Sequence, residues 1–245
     1  MIELDTIYNE DCLTGMQRIP DGSVDCIICD LPYGTTRNAW DSVIPLDKLW
    51  EQYRRVIKRN GAIVLFSQQP FTSALVMSNP EWFRYEWIWQ KEMGTGFLNA
   101  KKAPLKDHEN VLVFYQSLPT YNPQMKAGTP YKCKNGALSS NYGDRKQVVT
   151  DNKGERYPTT IVRFDRDKGK EHPTQKPVDL IAYLIRTYSN PGDTILDNTI
   201  GSGTTAVAAL REKRHFIGFE LNRDYYDIAL RRIKLEQQQQ TLFQV

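Results

Sequence analysis

Short apolar runs alternate along the chain with segments whose apolar residues recur at helical spacing. The runs at 24–29, 62–66 and 194–197 have the length and residue types of buried strands. Apolar side chains within 46–57 and 180–188 are instead spaced as on one face of a helix. Because strands alternate with helices, the sequence predicts an α/β fold with a doubly wound, mostly parallel sheet.

Local residue signals predict where several helices begin and end. Asn60-Gly61 follows the first long helical segment and is expected to stop it. Pro177 is expected to be the first residue of a later helix, since a first position needs no backbone N–H. The final helix is expected to run from Tyr225 to about Glu236, with the glutamines beyond it frayed.

The alternation of strands and helices is lost between residues 116 and 170. Gly, Pro, Asn, Tyr and Lys follow one another there without a core period. More than about 15 residues without regular elements usually indicate a functional insertion or disorder. We therefore expect one α/β domain with halves at 1–115 and 171–245 and an insertion at 116–170.

Positive charge is concentrated in and near this insertion. The chain carries a net charge of +3, but residues 101–170 hold 14 Lys/Arg against 7 Asp/Glu, a net +7 that leaves −4 elsewhere. Such a segment favours a polyanionic partner, most often nucleic acid, although a solvated loop face has the same composition. The candidate contacts to phosphate are Lys126, Lys132, Lys134, Arg145, Lys146 and Lys153.

Composition limits the class of protein. The chain is 40% hydrophobic and 25% charged, as in globular proteins, and it contains no apolar run near the roughly 18 residues of a membrane span. Its start lacks the basic end and apolar stretch of a signal peptide, and its four cysteines are scattered. We therefore expect a cytoplasmic protein without membrane contact. Cys26 and Cys29 would face opposite sides of a strand, so no metal site is predicted.

A carboxylate, a proline and an aromatic residue close the apolar run at 24–29. The segment is Asp30-Leu31-Pro32-Tyr33, which falls where a buried strand ends. Ligands of open α/β sheets bind at that edge. Asp30 can accept hydrogen bonds there and Tyr33 offers a flat face, so the segment suits a planar group that carries an amine.

A second candidate site follows the run at 194–197. Asp197 is followed by a glycine loop containing Gly201 and Gly203, and Glu220 ends the next predicted strand. Glycines allow close backbone approach to a ligand, and a carboxylate at the next strand end suits a ribose diol. The loop also matches the dinucleotide pattern G-x-G-x-x-A through Ala206, which leaves a nicotinamide-dependent oxidoreductase open.

Three segments together resemble the DNA amino-methyltransferases of the β group, which use S-adenosylmethionine. Asp30 to Tyr33 resembles their D-P-P-Y motif, His172 to Pro177 matches H-P-T-Q-K-P, and Asp197 to Thr205 resembles D-P-F-x-G-S-G-T-T. Their order is that of the β group. The resemblance implies a Rossmann-like methyltransferase fold, with a catalytic half at 1–115, target recognition at 116–170 and a cofactor-binding half at 171–245.

The resemblance also implies a role for individual residues. Catalysis is assigned to Asp30, Pro32 and Tyr33. The residues implied in cofactor binding are Glu220 at the ribose, Asp11 and Cys12 at the adenine ring, Asp197, Gly201, Gly203, Thr204, Thr174 and Lys176 at the methionine, and also Asp30. Two segments depart from the family pattern: Leu31 replaces a proline, and Asn198-Thr199-Ile200 replaces Pro-Phe-x.

The predicted reaction is transfer of a methyl group to the N6 amine of an adenine flipped out of double-stranded DNA. Hydrogen bonds from the amine to Asp30 would turn its lone pair towards the methyl donor. A cytosine-N4 enzyme is the alternative, because both amines suit the site, and an aspartate rather than a serine at position 30 favours adenine. A non-catalytic DNA-binding module also stays open. The resemblance is compatible with a homodimer and with a partner restriction endonuclease.

Overall fold

A computed structural model of the chain describes residues 2–34, 42–134, 149–167 and 175–242. The chain divides into a larger unit, up to residue 122 and from 160 onward, and a smaller unit at 123–159. In chain order, the strands are β1 (Thr6–Tyr8), β2 (Val24–Asp30), β3 (Ile57–Ser67), β4 (Phe83–Thr95), β5 (Lys106–Phe114), β6 (Lys126–Ala127), β7 (Tyr131–Lys134), β8 (Val149–Asn152), β9 (Glu155–Arg156), β10 (Ile161–Arg163), β11 (Thr194–Asp197) and β12 (His215–Phe219). The helices are α1 (Cys12–Met16), α2 (Leu46–Val56), α3 (Phe71–Ser78), α4 (Val178–Tyr188), α5 (Thr204–Arg211) and α6 (Arg223–Leu242).

The larger unit is built on an eight-stranded sheet with the order β1-β12-β11-β2-β3-β5-β4-β10. Neighbours from β1 to β3 are parallel, β5 is antiparallel to both β3 and β4, and β10 is parallel to β4. The prediction of an α/β fold with a mostly parallel sheet is confirmed. No helix in the described ranges is both long and apolar enough to cross a bilayer.

Helices cover both faces of this sheet. Cys26 and Ile28 of β2 pack in a core with α4 and α5, whereas Ile27 and Cys29 pack in a second core with α1, α2 and α3. A central parallel strand buried on both faces is expected to be apolar throughout, as this one is. The predicted opposite orientation of Cys26 and Cys29 is confirmed.

The predicted stop at Asn60-Gly61 is wrong. Helix α2 ends at Val56, and Ile57 is already extended, with φ −73° and ψ 139°. Asn60 and Gly61 lie inside β3, next to an irregularity in its pairing with β2. A Cβ on Gly61 would lie 2.7 Å from the backbone oxygen of Asp25, so this glycine permits close strand approach rather than a helix end.

Two other helix boundaries differ from prediction. Pro177 is the residue that precedes α4, with an extended ψ of 133°, rather than its first helical residue. The last helix does not fray after Glu236 but continues to Leu242. Glu236 binds Arg211 at 2.9 Å and accepts a hydrogen bond from Gln240 at 3.4 Å, and these contacts support the added turn.

The smaller unit consists of two short antiparallel strand pairs. Strand β6 pairs with β9, and β7 pairs with β8. The guanidinium of Arg156 lies 4.6 Å from the centre of the Tyr131 ring. This unit falls inside the predicted insertion at 116–170, while β10 belongs to the large sheet. A role for the insertion in target recognition stays a prediction.

A hydrogen-bonded aromatic group joins β4 to α4 in the core. The indole N–H of Trp87 donates to the hydroxyl of Tyr188 at 2.7 Å, and the hydroxyls of Tyr188 and Tyr85 lie 2.9 Å apart. Trp87 and Tyr188 are almost fully buried. The Tyr188 oxygen is therefore the acceptor that satisfies a donor with little access to water.

Replacing Tyr188 by phenylalanine should destabilise the larger unit. The change leaves the buried Trp87 N–H without an acceptor, which costs about 1–3 kcal/mol. Urea denaturation gives the change in the free energy of unfolding. Tyr226→Phe is the control, because this tyrosine hydroxyl makes no hydrogen bond within the described residues. Equal effects of the two substitutions would contradict the assigned role of Tyr188.

Candidate active site

Acidic residues lie at the carboxyl ends of three neighbouring strands. Asp30 ends β2, Asp197 ends β11, and Glu220 directly follows β12. Since these strands are adjacent and parallel, the three carboxylates share one edge of the sheet. A cavity of about 820 Å³ opens at that edge and is lined by all three. This volume is typical of a site for a small molecule.

Both oxygens of the Asp30 carboxylate are hydrogen-bonded. The Tyr33 hydroxyl donates to Oδ1 at 2.6 Å, and the Lys176 ammonium donates to Oδ2 at 2.5 Å. Pro32 and Tyr33 line the cavity beside Asp30, so the three predicted catalytic residues lie together. Leu31, which departs from the family pattern, is buried in the core that contains α1 to α3.

Lys176 belongs to a buried chain of alternating charges. Its Nζ lies 3.3 Å from Oε2 of Glu109, whose Oε1 accepts from Lys91 at 2.5 Å. Burial works to lower the pKa of Lys176, but the Asp30 and Glu109 carboxylates outweigh it and raise the pKa to about 12. Burial works to raise the pKa of Glu109, and the two ammonium groups reverse this and lower it. Lys176 is therefore protonated and Glu109 ionised at neutral pH.

Glu109 and Lys91 were missed by the sequence reasoning. They lie inside strands β5 and β4, far from any recognised motif. Antiparallel pairing places Trp89 opposite Glu109, which brings Lys91 within reach of the carboxylate. A glutamate and a lysine in neighbouring half-buried strands were the only available signal, and their pairing depends on the strand register.

Tyr33 is held by a ring contact and a hydrogen bond. It packs on Phe71 with ring centroids 5.4 Å apart and an interplanar angle of 30°. Burial and the nearby Asp30 carboxylate raise the pKa of Tyr33 well above its usual value. The hydroxyl therefore keeps its proton and acts as a donor to Asp30.

The Glu220 carboxylate is fixed by backbone donors. Oε2 accepts from the Gly201 N–H at 2.9 Å, and Oε1 accepts from the Asn222 N–H at 2.7 Å. Burial raises the pKa of Glu220, while these hydrogen bonds oppose the shift. The glycine loop and the end of β12 are thus joined through one acidic side chain that faces the cavity.

Asp197 is the most deeply buried of the three acids. Its carboxylate accepts from the Thr205 hydroxyl at 2.6 Å and from the Thr199 N–H at 3.1 Å. Burial raises its pKa to about 7, although these hydrogen bonds favour the ionised form. Asp197 therefore orders the glycine loop and the start of α5.

The segment Asn198-Thr199-Ile200, which departs from the family pattern, connects the two predicted sites. The Thr199 hydroxyl donates to the backbone oxygen of Asp30 at 2.9 Å and lies 2.9 Å from the Cys29 sulfur. Asn198 accepts from the Tyr53 hydroxyl at 2.5 Å. These polar contacts were not predicted, because they depend on the adjacency of β2 and β11.

Asp11 and Cys12 lie at another part of the cavity wall. Asp11 caps α1, where its carboxylate accepts from the Thr14 N–H at 3.0 Å. Burial raises the pKa of the Cys12 thiol to about 11, and Asn198 donates to its sulfur at 3.6 Å. Cys12 is therefore a protonated thiol at neutral pH and contributes packing rather than a reactive thiolate.

The two predicted loop glycines have different surroundings. Gly201 has a φ of +55° and lines the cavity, where a Cβ would have open space. Gly203 has a φ of +82°, and its Cβ would lie 2.9 Å from the Cβ of Ala229. Gly203 therefore allows α6 to pack closely against the start of α5, and Thr204 follows it on the cavity wall.

The predicted phosphate contacts that can be located lie in the smaller unit. They are Lys126, Lys132, Lys134 and Lys153. Lys132 and Lys153 both pair with Asp151, at 3.4 and 3.0 Å. Arg145, Lys146 and Thr174 fall outside the described residues.

The sequence and fold were compared with those of known proteins. A family model described as DNA methylase, of the N6/N4 type, matches residues 24–231. The DNA adenine methyltransferase YhdJ of Escherichia coli strain K12 is 29% identical over 247 residues, which cover 94% of this chain and 83% of YhdJ.

Solved structures share the fold. The M1.HpyAVI–SAM complex superposes with a TM-score of 0.64 at 22% identity, covering 93% of this chain and 98% of that one. The cytosine-N4-specific PvuII DNA methyltransferase gives a TM-score of 0.68 at 16% identity, covering 93% and 85%.

The chain belongs to the N6/N4 DNA methylase family, whose members depend on S-adenosylmethionine. It is a DNA amino-methyltransferase, which confirms the resemblance read from the three motifs. The nicotinamide-dependent oxidoreductase and the non-catalytic binding module are therefore not supported.

The buried Asp197 should make stability depend on pH. Between its ordinary pKa of 3.8 and its folded pKa of about 7, the folded chain keeps a proton that the unfolded chain has lost. Stability from this group therefore falls as pH rises across that window, by at most about 1.4 kcal/mol per pH unit. Asp197→Asn removes the titration, so the stability of the variant relative to wild type should increase with pH.

Urea denaturation across this window tests the prediction. Asp224→Asn, at an exposed position in the first turn of α6, is the matched control and should show no such trend. A stability difference between Asp197→Asn and wild type that is independent of pH would contradict the raised pKa.

Proposed function

We propose that the chain methylates the N6 amine of an adenine flipped out of double-stranded DNA. The observation that carries this proposal is the Asp30 carboxylate at the cavity wall, hydrogen-bonded to Tyr33 and Lys176, while the Asp30 backbone oxygen accepts from Thr199 of the glycine loop. The similarity to an adenine methyltransferase supports adenine as the target. Cytosine N4 is the second candidate, because the cytosine amine has the same hydrogen-bonding groups. The PvuII DNA methyltransferase, which has a similar fold, is cytosine-N4-specific.

The cavity suits S-adenosylmethionine. Gly201 leaves its backbone open to a ligand, and Glu220 presents a carboxylate whose oxygens can accept from ribose hydroxyls. Asp11 and Cys12 line another part of the same cavity and are proposed to border the adenine ring. When bound, S-adenosylmethionine supplies an activated methyl group on a sulfonium.

Asp30 prepares the target amine. The nitrogen lone pair of an aromatic amine is delocalised into the ring, so the free amine is a weak nucleophile. Hydrogen bonds from its N–H groups to Asp30 and to a backbone carbonyl draw the nitrogen towards tetrahedral geometry. Orientation of this kind can contribute up to roughly 7–11 kcal/mol to catalysis. Because it hydrogen-bonds the amine, the Asp30 carboxylate can also accept the proton that leaves the nitrogen after methyl transfer.

The target amine adds to a carboxylate that already accepts one hydrogen bond at each oxygen and can accept more. Lys176 is the donor that can move to make room, because Glu109 lies 3.3 Å away and can hold the ammonium. Tyr33 keeps its place, since its ring packs on Phe71, and it offers a face on which a flipped base can stack. Lys176 thus acts on Asp30 rather than on the cofactor.

The lysines of the smaller unit are proposed to hold the DNA backbone. Lys126 and Lys134 are exposed, and no ion pair within the described residues involves them. Contacts of this kind position a duplex without reading its sequence. A homodimer and a partner endonuclease stay predictions.

The modified base is the first test of this function. Wild type and Asp30→Ala are expressed in a host that lacks adenine methylation, and the DNA is digested to nucleosides for mass spectrometry. Wild type should produce N6-methyladenine and Asp30→Ala should not. Asp30→Ala should still bind S-adenosylmethionine, because Thr199 is held by the backbone oxygen of Asp30, which alanine retains.

Each outcome of this experiment is informative. N4-methylcytosine would promote the second candidate, and the absence of both bases would contradict the proposal. Asp47→Ala, at an exposed position in the first turn of α2, is the control and should methylate normally. Normal methylation by Asp30→Ala would remove Asp30 from the mechanism.

Lys176→Met tests whether this lysine serves Asp30 or the cofactor. The substitution removes the cation between the Asp30 and Glu109 carboxylates, so kcat should fall by about tenfold or more, while the Kd for S-adenosylmethionine stays within about threefold. Lys176→Arg keeps the charge and should recover part of kcat. Calorimetry and steady-state kinetics separate the two quantities. A raised Kd with unchanged kcat would instead support the cofactor role implied by the family resemblance.

A further inference from the structure

The hairpin between β4 and β5 ends in an exposed apolar surface. Phe97 is 76% exposed and Leu98 is 84% exposed. Met93, shortly before residues 96–105, is 63% exposed, and Leu105, the last residue of that range, is 46% exposed. Single exposed apolar residues are ordinary on protein surfaces, but several large ones in one hairpin indicate an interaction site. We refer to residues 96–105 as the hairpin tip.

The tip carries positive charge and no negative charge. Lys101 and Lys102 are exposed, residues 96–105 contain no Asp or Glu, and neither lysine has an ion-pair partner within the described ranges. A second copy of the chain is a poor match, because a two-fold contact through the tip would bring these lysines towards each other. A partner with phosphates at its surface and apolar rings inside is complementary to the tip.

The tip begins at the rim of the active-site cavity. Lys91 and Thr95 of β4 line the cavity, and so does Arg166, which pairs with Glu92 at 2.6 Å. A base that enters this cavity from a duplex leaves an unstacked gap close to the rim. Proteins that distort duplexes often fill such gaps with apolar side chains.

We propose that the hairpin tip is the wedge that enters the DNA duplex when the target base is extruded. Phe97 and Leu98 occupy the space that the base vacates and stack against its neighbours, while Lys101 and Lys102 bind the flanking phosphates. The proposal rests on the proposed function, since it requires that the target base is flipped into the cavity.

The test compares two duplexes that contain a sequence methylated by the wild-type enzyme. In one duplex the target base is paired, and in the other it lies opposite an abasic site, so that extrusion requires no base-pair opening. The variants are Phe97→Ala/Leu98→Ala and Lys101→Ala/Lys102→Ala. Leu235→Ala is the matched control, because it removes an exposed leucine from α6, away from the cavity lining.

The wedge predicts a loss that depends on base pairing. On the paired duplex, the kcat of Phe97→Ala/Leu98→Ala should be about 10- to 100-fold below that of wild type. On the abasic duplex, its kcat should lie within about threefold of the wild-type value. Its affinity for S-adenosylmethionine should be unchanged. Lys101→Ala/Lys102→Ala should weaken binding to both duplexes equally and lower the slope of log affinity against log salt by about 2. Leu235→Ala should match wild type throughout.

Other results would overturn the wedge. Wild-type kcat for Phe97→Ala/Leu98→Ala on the paired duplex would do so, and so would an equal loss on both duplexes. If wild type sediments as a dimer and Phe97→Ala/Leu98→Ala sediments as a monomer, the tip contacts a second copy of the chain instead of DNA. Failure of the proposed function is distinguishable, because the wild-type enzyme itself would then methylate neither duplex.

Discussion

The active site depends on the charge balance around one partly buried carboxylate. Asp30 ends β2 at the cavity wall, where its charge is only partly open to water and is costly to leave unpaired. Lys176 supplies the balancing charge, and Glu109 and Lys91 extend the balance into the sheet. Two of the three family motifs, those of Asp30 and Lys176, are therefore joined to a pair of residues that no motif contains.

The adjacency of β2 and β11 also brings the segment at Asp30 and the glycine loop together. The catalytic segment and the glycine loop lie about 170 positions apart in sequence, with separations such as the 169 between Thr199 and Asp30, yet they follow neighbouring parallel strands. The Thr199 hydroxyl converts this adjacency into a hydrogen bond. In this chain Asn198-Thr199-Ile200, which departs from the family pattern, therefore ties the glycine loop to the segment that begins at Asp30.

The sequence was sufficient for the parts of the structure that follow from local pattern. The positions of Asp30, Asp197 and Glu220 at strand ends follow from apolar runs, and parallel pairing then brings them to one edge. The helix end predicted at Asn60-Gly61 was wrong, because a glycine that ends a helix cannot be distinguished by sequence from one that permits close contact between strands. Glu109 could not be predicted, since its role depends on the register of β4 and β5.

The reversed direction of β5 has a consequence for how this enzyme can diverge. Because β5 is antiparallel, its first residues lie next to the end of β4, so that one hairpin carries both the buried Glu109 and the exposed tip. The pairing is regular at Trp89 and Glu109 and shifts between Gln90 and Thr95. Because the regular pairing that holds Glu109 ends before this irregularity, the loop beyond it can change in length or conformation without altering the register at Trp89 and Glu109. The outer end of the hairpin is therefore free to diverge while the buried charges stay in place.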